Sequence, residues 1–276
     1  MIKFFYDYFD PEQICGMYTP GHFLMIAFFI VTSILILRVT VRLSVEKVRR
    51  ITLWIAIVFT AVEVLKISLR VYKGHNPSEW VPLYFCSLFL YAVWFSYSKN
   101  SFLKNIGCSY IAMGGLIAAV TFCLYPSTSL AIYPVWHPES IHSYIYHIVL
   151  FCSGITILAT GYYKPKAKDS IHYFIFLSLA AIPSVILNAL IGTNCLFLAD
   201  AYGLAFLPDI IAFSPVLYAV LAFLTQASAL FWVSYGVYKL FIWLKQRAKK
   251  ELPVHVLTEK TTEESIDEAN EETVGV

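Results

Sequence analysis

The sequence predicts an all-α membrane protein: a polytopic bundle of seven transmembrane helices, N-terminus outside the cytoplasm and C-terminus inside. Three observations predict it. The chain is 59% hydrophobic and only 14% charged, where a soluble domain carries about a quarter charged residues. The charge is segregated, since residues 51–62, 81–98, 140–163 and 210–238 contain no Lys, Arg, Asp or Glu. And the basic residues are unevenly shared between alternate connections, which sets direction in a bilayer.

Crossing about 30 Å of hydrocarbon takes roughly 20 helical residues. Apolar runs of that size lie near 21–40, 51–73, 77–98, 102–124, 140–162, 169–191 and 212–240. They are solid runs without period-two alternation, which excludes a strand barrel. The first is preceded by Asp7, Asp10 and Glu12, where a secretory signal would be basic, so it reads as a retained helix. Asn76-Pro77-Ser78-Glu79 offers an N-cap, a proline at the first helical position and an acidic residue soon after. Lys164-Pro165-Lys166 separates the fifth and sixth spans, and Phe213-Ser214-Pro215 opens the seventh. Pro82 should kink the third span, because it cannot donate to the helical ladder.

The first, third and fifth loops and the C-terminal side hold 16 Lys and Arg residues; the other side holds 3, and Lys66 lies within a span. That asymmetry places the first loop and the C-terminus in the cytoplasm. Residues 1–250 form the transmembrane domain. Residues 251–276, with eight acidic groups, read as a disordered cytoplasmic tail. The expected partners are membrane lipids, with a lipid or small-molecule substrate and no nucleic acid. Six cysteines without CxxC or Cys/His spacing predict no metal and no cofactor. Cys15, Cys123 and Cys195 fall on the outer side, where two could pair as a disulfide or all stay free.

Polar groups inside spans carry the functional signal, since each needs a partner or water. Glu63 and Arg70 differ by about 20° around the second helix and Lys66 by about 60°, so the three share a face. An ion pair with Arg70 reaching for the interface is the structural alternative. Counting about 1.5 Å per residue, Cys86 lies roughly 13 Å and Glu63 roughly 15 Å below the outer face. His142 and His147 differ by about 140°, which predicts separate faces. His142 belongs at the outer interface, and His147 about 10 Å down. Asn188, Asn194 and the deeper Gln226 add polar groups toward the same half. Together they predict a hydrated cavity opening outward. A solute transporter or sensor using Glu63 and Lys66 fits these residues, as does a scaffold without chemistry; a lone cysteine is also a common packing residue.

At Pro82–Cys86, His142–His147 and Leu187–Asn194 the chain resembles the YwaF family of bacterial membrane proteins, itself related to the eukaryotic transmembrane protein 164 family. The matching features are Pro-Leu-x-x-Cys (82–86), Tyr146-His147 and Asn-x-Leu-x-Gly-Thr-Asn (188–194). The resemblance implies a bacterial cell membrane and an acyltransferase or acyl hydrolase. It makes Cys86 the nucleophile and His147 its general base. The polar groups of the outer half, read from the residues themselves, place Lys66, Arg70, His142, Asn188, Asn194 and Gln226 around the substrate, with Lys66 or Arg70 on an anionic headgroup. Glu63 joins the catalytic set by depth alone. Tyr84 stands where the bacterial pattern has His.

Overall fold

A computed structural model describes residues 12–76, 81–200 and 207–248. Asp7, Asp10, the Pro77–Glu79 part of the expected cap and the acidic tail lie outside these residues. Among the described residues the chain is helical, with no strand. Six helices are long and apolar enough to cross a bilayer: α1 (Pro20–Thr40), α2 (Val45–Tyr72), α4 (Ser101–Leu124), α5 (Pro138–Ala159), α6 (Asp169–Ile191) and α8 (Pro215–Ala248). Two shorter helices are α3 (Cys86–Tyr97) and α7 (Leu207–Phe213).

The starts follow from local chemistry. Thr19, Ser44, Asn100, His137 and Ser214 each accept a backbone N–H of the helix that follows, satisfying donors that no earlier turn can reach. Pro20, Pro138 and Pro215 occupy first positions, where a missing N–H costs nothing. Gly192 closes α6 with φ +66°. At α6's start, buried Asp169 accepts from the Tyr163 hydroxyl and Lys166 N, both at 3.0 Å.

The third apolar run departs from expectation. It yields a helix of about 18 Å, too short to cross alone, because residues 81–85 are not helical. Pro82 therefore precedes the helix and does not kink it. Carbonyls ahead of Cys86 find partners elsewhere: Leu83 O accepts from Leu196 N at 2.9 Å, and Phe85 O from the Tyr110 hydroxyl. Non-helical backbone at depth persists where protein or a wet cavity satisfies it.

The chain divides after Ser234 into two contact units. In the first, α4 is central: 72% of its most apolar stretch is buried against protein, compared with 17% for α1, α2 and α6. The fully buried Phe89, Tyr144 and Tyr173 pack around it, and its own Tyr110 and Met113 are fully buried as well. Gly107 lets α4 meet α3 at backbone distance; a Cβ there would overlap Ala92 and Ser96. Each of α4 and α8 carries one π turn, Tyr110–Gly114 and Thr225–Ala229. Such turns displace carbonyls from the regular ladder; Met113 O accepts from the Ser234 hydroxyl and Gln226 O from Tyr173, both at 2.8 Å. In the second unit the Arg247 guanidinium lies 5.7 Å from the Trp243 ring.

Leu24, Leu35, Trp54, Leu65, Leu179 and Ile182 are each more than half exposed. So broad an apolar surface suits lipid, not water. The ends of the bundle differ chemically. At one, Arg49 lies over Tyr97, Lys104 over Tyr162, and the Tyr162 hydroxyl donates to Ser96 O. At the other, Gly16 N donates to Leu130 O at 2.8 Å, His22 Nε2 lies 3.0 Å from Cys123 O, and Arg70 pairs with Glu139.

Candidate functional site

The second end holds a cavity of about 410 Å³. Its walls come from five stretches. α2 supplies Glu63, Lys66 and Arg70, because residues three and four apart stack on one helical face. The break and the first turn of α3 supply Pro82, Tyr84, Cys86 and Ser87; the connection after α4 adds Thr128 and Tyr133. α5 supplies Glu139, His142, Ser143, Tyr146 and His147, and Phe197 closes one side.

The charges are paired inside the wall. Lys66 Nζ lies 2.7 Å from Glu63 Oε2 on the same helix, and Arg70 reaches across to Glu139 Oε1 at 3.1 Å. The stripe on α2 is thus two ion pairs, one within a helix and one joining two helices. Glu139, like Phe197, is a residue that sequence reasoning missed. An acid in a first helical turn reads as a complement to the helix dipole, and nothing local signals a cation on another helix.

His147 is held in one orientation. Its Nδ1 lies 2.7 Å from Ser143 O; a carbonyl only accepts, so Nδ1 carries the proton and neutral imidazole presents Nε2 as the basic nitrogen. Phe122 stacks on the ring at 3.7 Å between centroids, 6° from parallel. Nε2 is buried without a hydrogen-bond partner, Cys86 included. Proton exchange with the thiol therefore requires a bridging water or substrate hydroxyl.

Cys86 is half-buried at the first position of α3. Its turn is clamped from α5, where the Tyr146 hydroxyl donates to Cys86 O and Ser87 O at 3.3 Å each. The Tyr146 ring stands edge-on to Phe59 and Phe89. One helix thereby fixes the backbone under the thiol and carries the imidazole.

One expectation changes, and one alternative left open is decided. His142 and His147 were expected on separate faces, yet both line this cavity, because it wraps the roughly 140° arc that includes Ser143 and Tyr146. All six cysteines are free, Cys15, Cys123 and Cys195 among them. Cys15 Sγ contacts the Thr19 hydroxyl and Cys195 Sγ that of Thr193. Of the nine residues singled out from the sequence, Glu63, Lys66, Arg70, Cys86, His142 and His147 meet in this wall. Asn188, Asn194 and Gln226 are not among its lining residues; they bond backbone around residues 195–200. Among the described residues no group of three His, Cys, Asp or Glu could hold a metal ion.

No curated protein and no solved structure matches the chain. The sequence model of the TMEM164 family matches residues 17–235, a stretch that contains every element lining the cavity. The chain belongs to the TMEM164 family.

Proposed function

We propose that this membrane protein is a lipid acyltransferase or acyl hydrolase acting through Cys86 and His147. The single observation that carries the reading is the state of His147: proton committed to Ser143 O, Nε2 without a partner, in a wall shared with a half-buried thiol. The thiol proton passes through a bridging hydroxyl to Nε2, and sulfur attacks a lipid ester carbonyl. The ester C–O bond then breaks, the departing alkoxide takes the proton from His147, and an acyl-thioester remains. Water or a second alcohol, deprotonated by the same imidazole, completes hydrolysis or transfer. Lys66 and Arg70 would hold an anionic headgroup, with Glu63 and Glu139 as their counter-ions.

The same reading takes α3 with residues 81–85 as a seventh crossing. It sets the basic connections in the cytoplasm, so the N-terminus and the cavity face outward. A bacterial cell membrane and a YwaF-like relationship belong to it as well, resting on the 82–86 and 188–194 motifs.

The test is protein in lipid nanodiscs given a phospholipid with an alkyne-tagged acyl chain. A hydroxylamine-labile adduct on Cys86 is expected, absent from Cys86→Ala and formed at least about 100-fold more slowly in His147→Gln. No adduct on folded protein would sink the enzyme reading. The Glu63–Lys66 pair in the wall favours one rival, a solute or proton-coupled transporter or sensor. That rival predicts loss of uptake or response in Glu63→Gln and none in Cys86→Ala.

A further inference from the structure

Asn188, Asn194, Gln226 and Tyr218 all serve one turn. Asn188 Oδ1 accepts from Cys195 N at 2.7 Å and from the Thr193 hydroxyl at 2.6 Å, while its Nδ2 donates to Cys195 O at 3.1 Å. Asn194 Oδ1 accepts the N–H groups of Ala199 and Asp200, both at 3.0 Å. From α8, Gln226 Nε2 donates to Leu196 O at 2.8 Å and the Tyr218 hydroxyl to Phe197 O at 2.9 Å.

Leu196 and Phe197 both have φ +54°. A left-handed backbone costs a residue with a side chain about 1–2 kcal/mol, and two in succession persist only where the surroundings over-determine them. The hydrogen bonds above supply that constraint. The turn in return does two things to the cavity. Leu196 N–H donates to Leu83 O, three residues before Cys86. Phe197 is placed in the cavity wall, its ring 5.7 Å from that of Tyr84, which lines the same wall.

We propose that Phe197 is a specificity-determining residue of the Cys86 cavity, limiting the bulk of the apolar group that reaches the thiol, and that Asn188 and Gln226 are positioning residues that hold it there. The left-handed turn aims the ring, and extended backbone at the same positions would send it elsewhere. The inference deepens the thiol reading of the site, but its test needs only access to the thiol.

Full-length protein in nanodiscs is treated with N-methylmaleimide and with N-(1-pyrenyl)maleimide, and Cys86 modification is followed by peptide mass spectrometry. Phe197→Ala should raise the pyrenyl-to-methyl rate ratio at least about tenfold, and Phe197→Trp should lower it. Gln226→Met keeps side-chain length but loses the donor to Leu196 O, and should shift the ratio as Phe197→Ala does. A purely structural role would slow or speed both reagents together and leave the ratio fixed. Unchanged ratios in Phe197→Ala and Phe197→Trp overturn the proposal. Should Phe197→Ala fail to fold, Phe197→Leu and Phe197→Trp carry the same comparison. A shifted ratio with no lipid adduct on Cys86 leaves this inference standing and removes the enzyme reading; an adduct with a fixed ratio does the reverse.

Discussion

Replacing Lys66 by Met leaves the Glu63 carboxylate in the cavity wall without its ion-pair partner. The two groups are 2.7 Å apart, one turn of α2 from each other, with the Lys66 side chain 21% and the Glu63 side chain 11% exposed. An exposed pair contributes about 0–1 kcal/mol; stripping one partner from a fully buried pair costs about 3–5 kcal/mol. Partial exposure places this pair between those limits, so Lys66→Met should cost about 2 kcal/mol. Glu63→Leu should cost about 1 kcal/mol, because the lysine stem can carry its ammonium toward the mouth. The double variant desolvates neither charge and should lie within about 1 kcal/mol of the parent. The single costs then exceed the double, a coupling of about 2 kcal/mol. Thermal unfolding in one detergent, read by tryptophan fluorescence, should place Lys66→Met roughly 4–8 °C below the parent and the double variant above it. If Lys66→Met melts with the parent, or the double loses the sum of the singles, the pair is hydrated like a surface pair and its partial burial carries no stability.

Gly107→Ala drives a Cβ into the backbone of Ala92 and Ser96; it should cost about 3 kcal/mol or prevent folding, while Gly236→Ala, with nothing within 4 Å, should gain up to about 1 kcal/mol, and melting curves that rank them otherwise contradict the α3–α4 contact. The Thr40 and Thr156 hydroxyls, 2.7 Å apart, join α1 to α5; either valine variant should lose about 1 kcal/mol, and loss of function at the cavity would contradict their placement at the opposite end. In the intact protein Cys15 and Cys86 should alkylate first, since the other four thiols are buried. Cys195 lies outside the membrane-spanning helices and burial pushes its thiol above the usual range, so it stays protonated near neutral pH and its rate should climb only at higher pH. Cys195 labelled as fast as Cys15 at neutral pH would show that the turn at 195–197 is open.

Part of the site was legible because it obeys a local period. Glu63, Lys66 and Arg70 repeat at helical spacing, and that alone puts them on one face. Depth counting placed Cys86, His147 and Glu63 at similar levels, and the three line one cavity. Glu139 was missed because its partner Arg70 lies 69 residues away. Phe197 was missed because a left-handed non-glycine residue leaves no mark in composition or periodicity. Asn188 and Gln226 were expected around the substrate, and only the fold shows that they bond the turn at residues 195–197.

The amino-acid string alone determined that lipid surrounds this chain, which runs are apolar and where most helices begin. Each is a local matter, because hydrocarbon requires a helix to satisfy its own backbone and a cap needs only the next three residues. The tertiary structure decided how the third run breaks, which charges pair and which polar groups face the cavity. Those outcomes hang on partners distant in sequence, such as Leu196 for Leu83 and Tyr146 for Cys86, and no local pattern encodes a partner that only folding brings near.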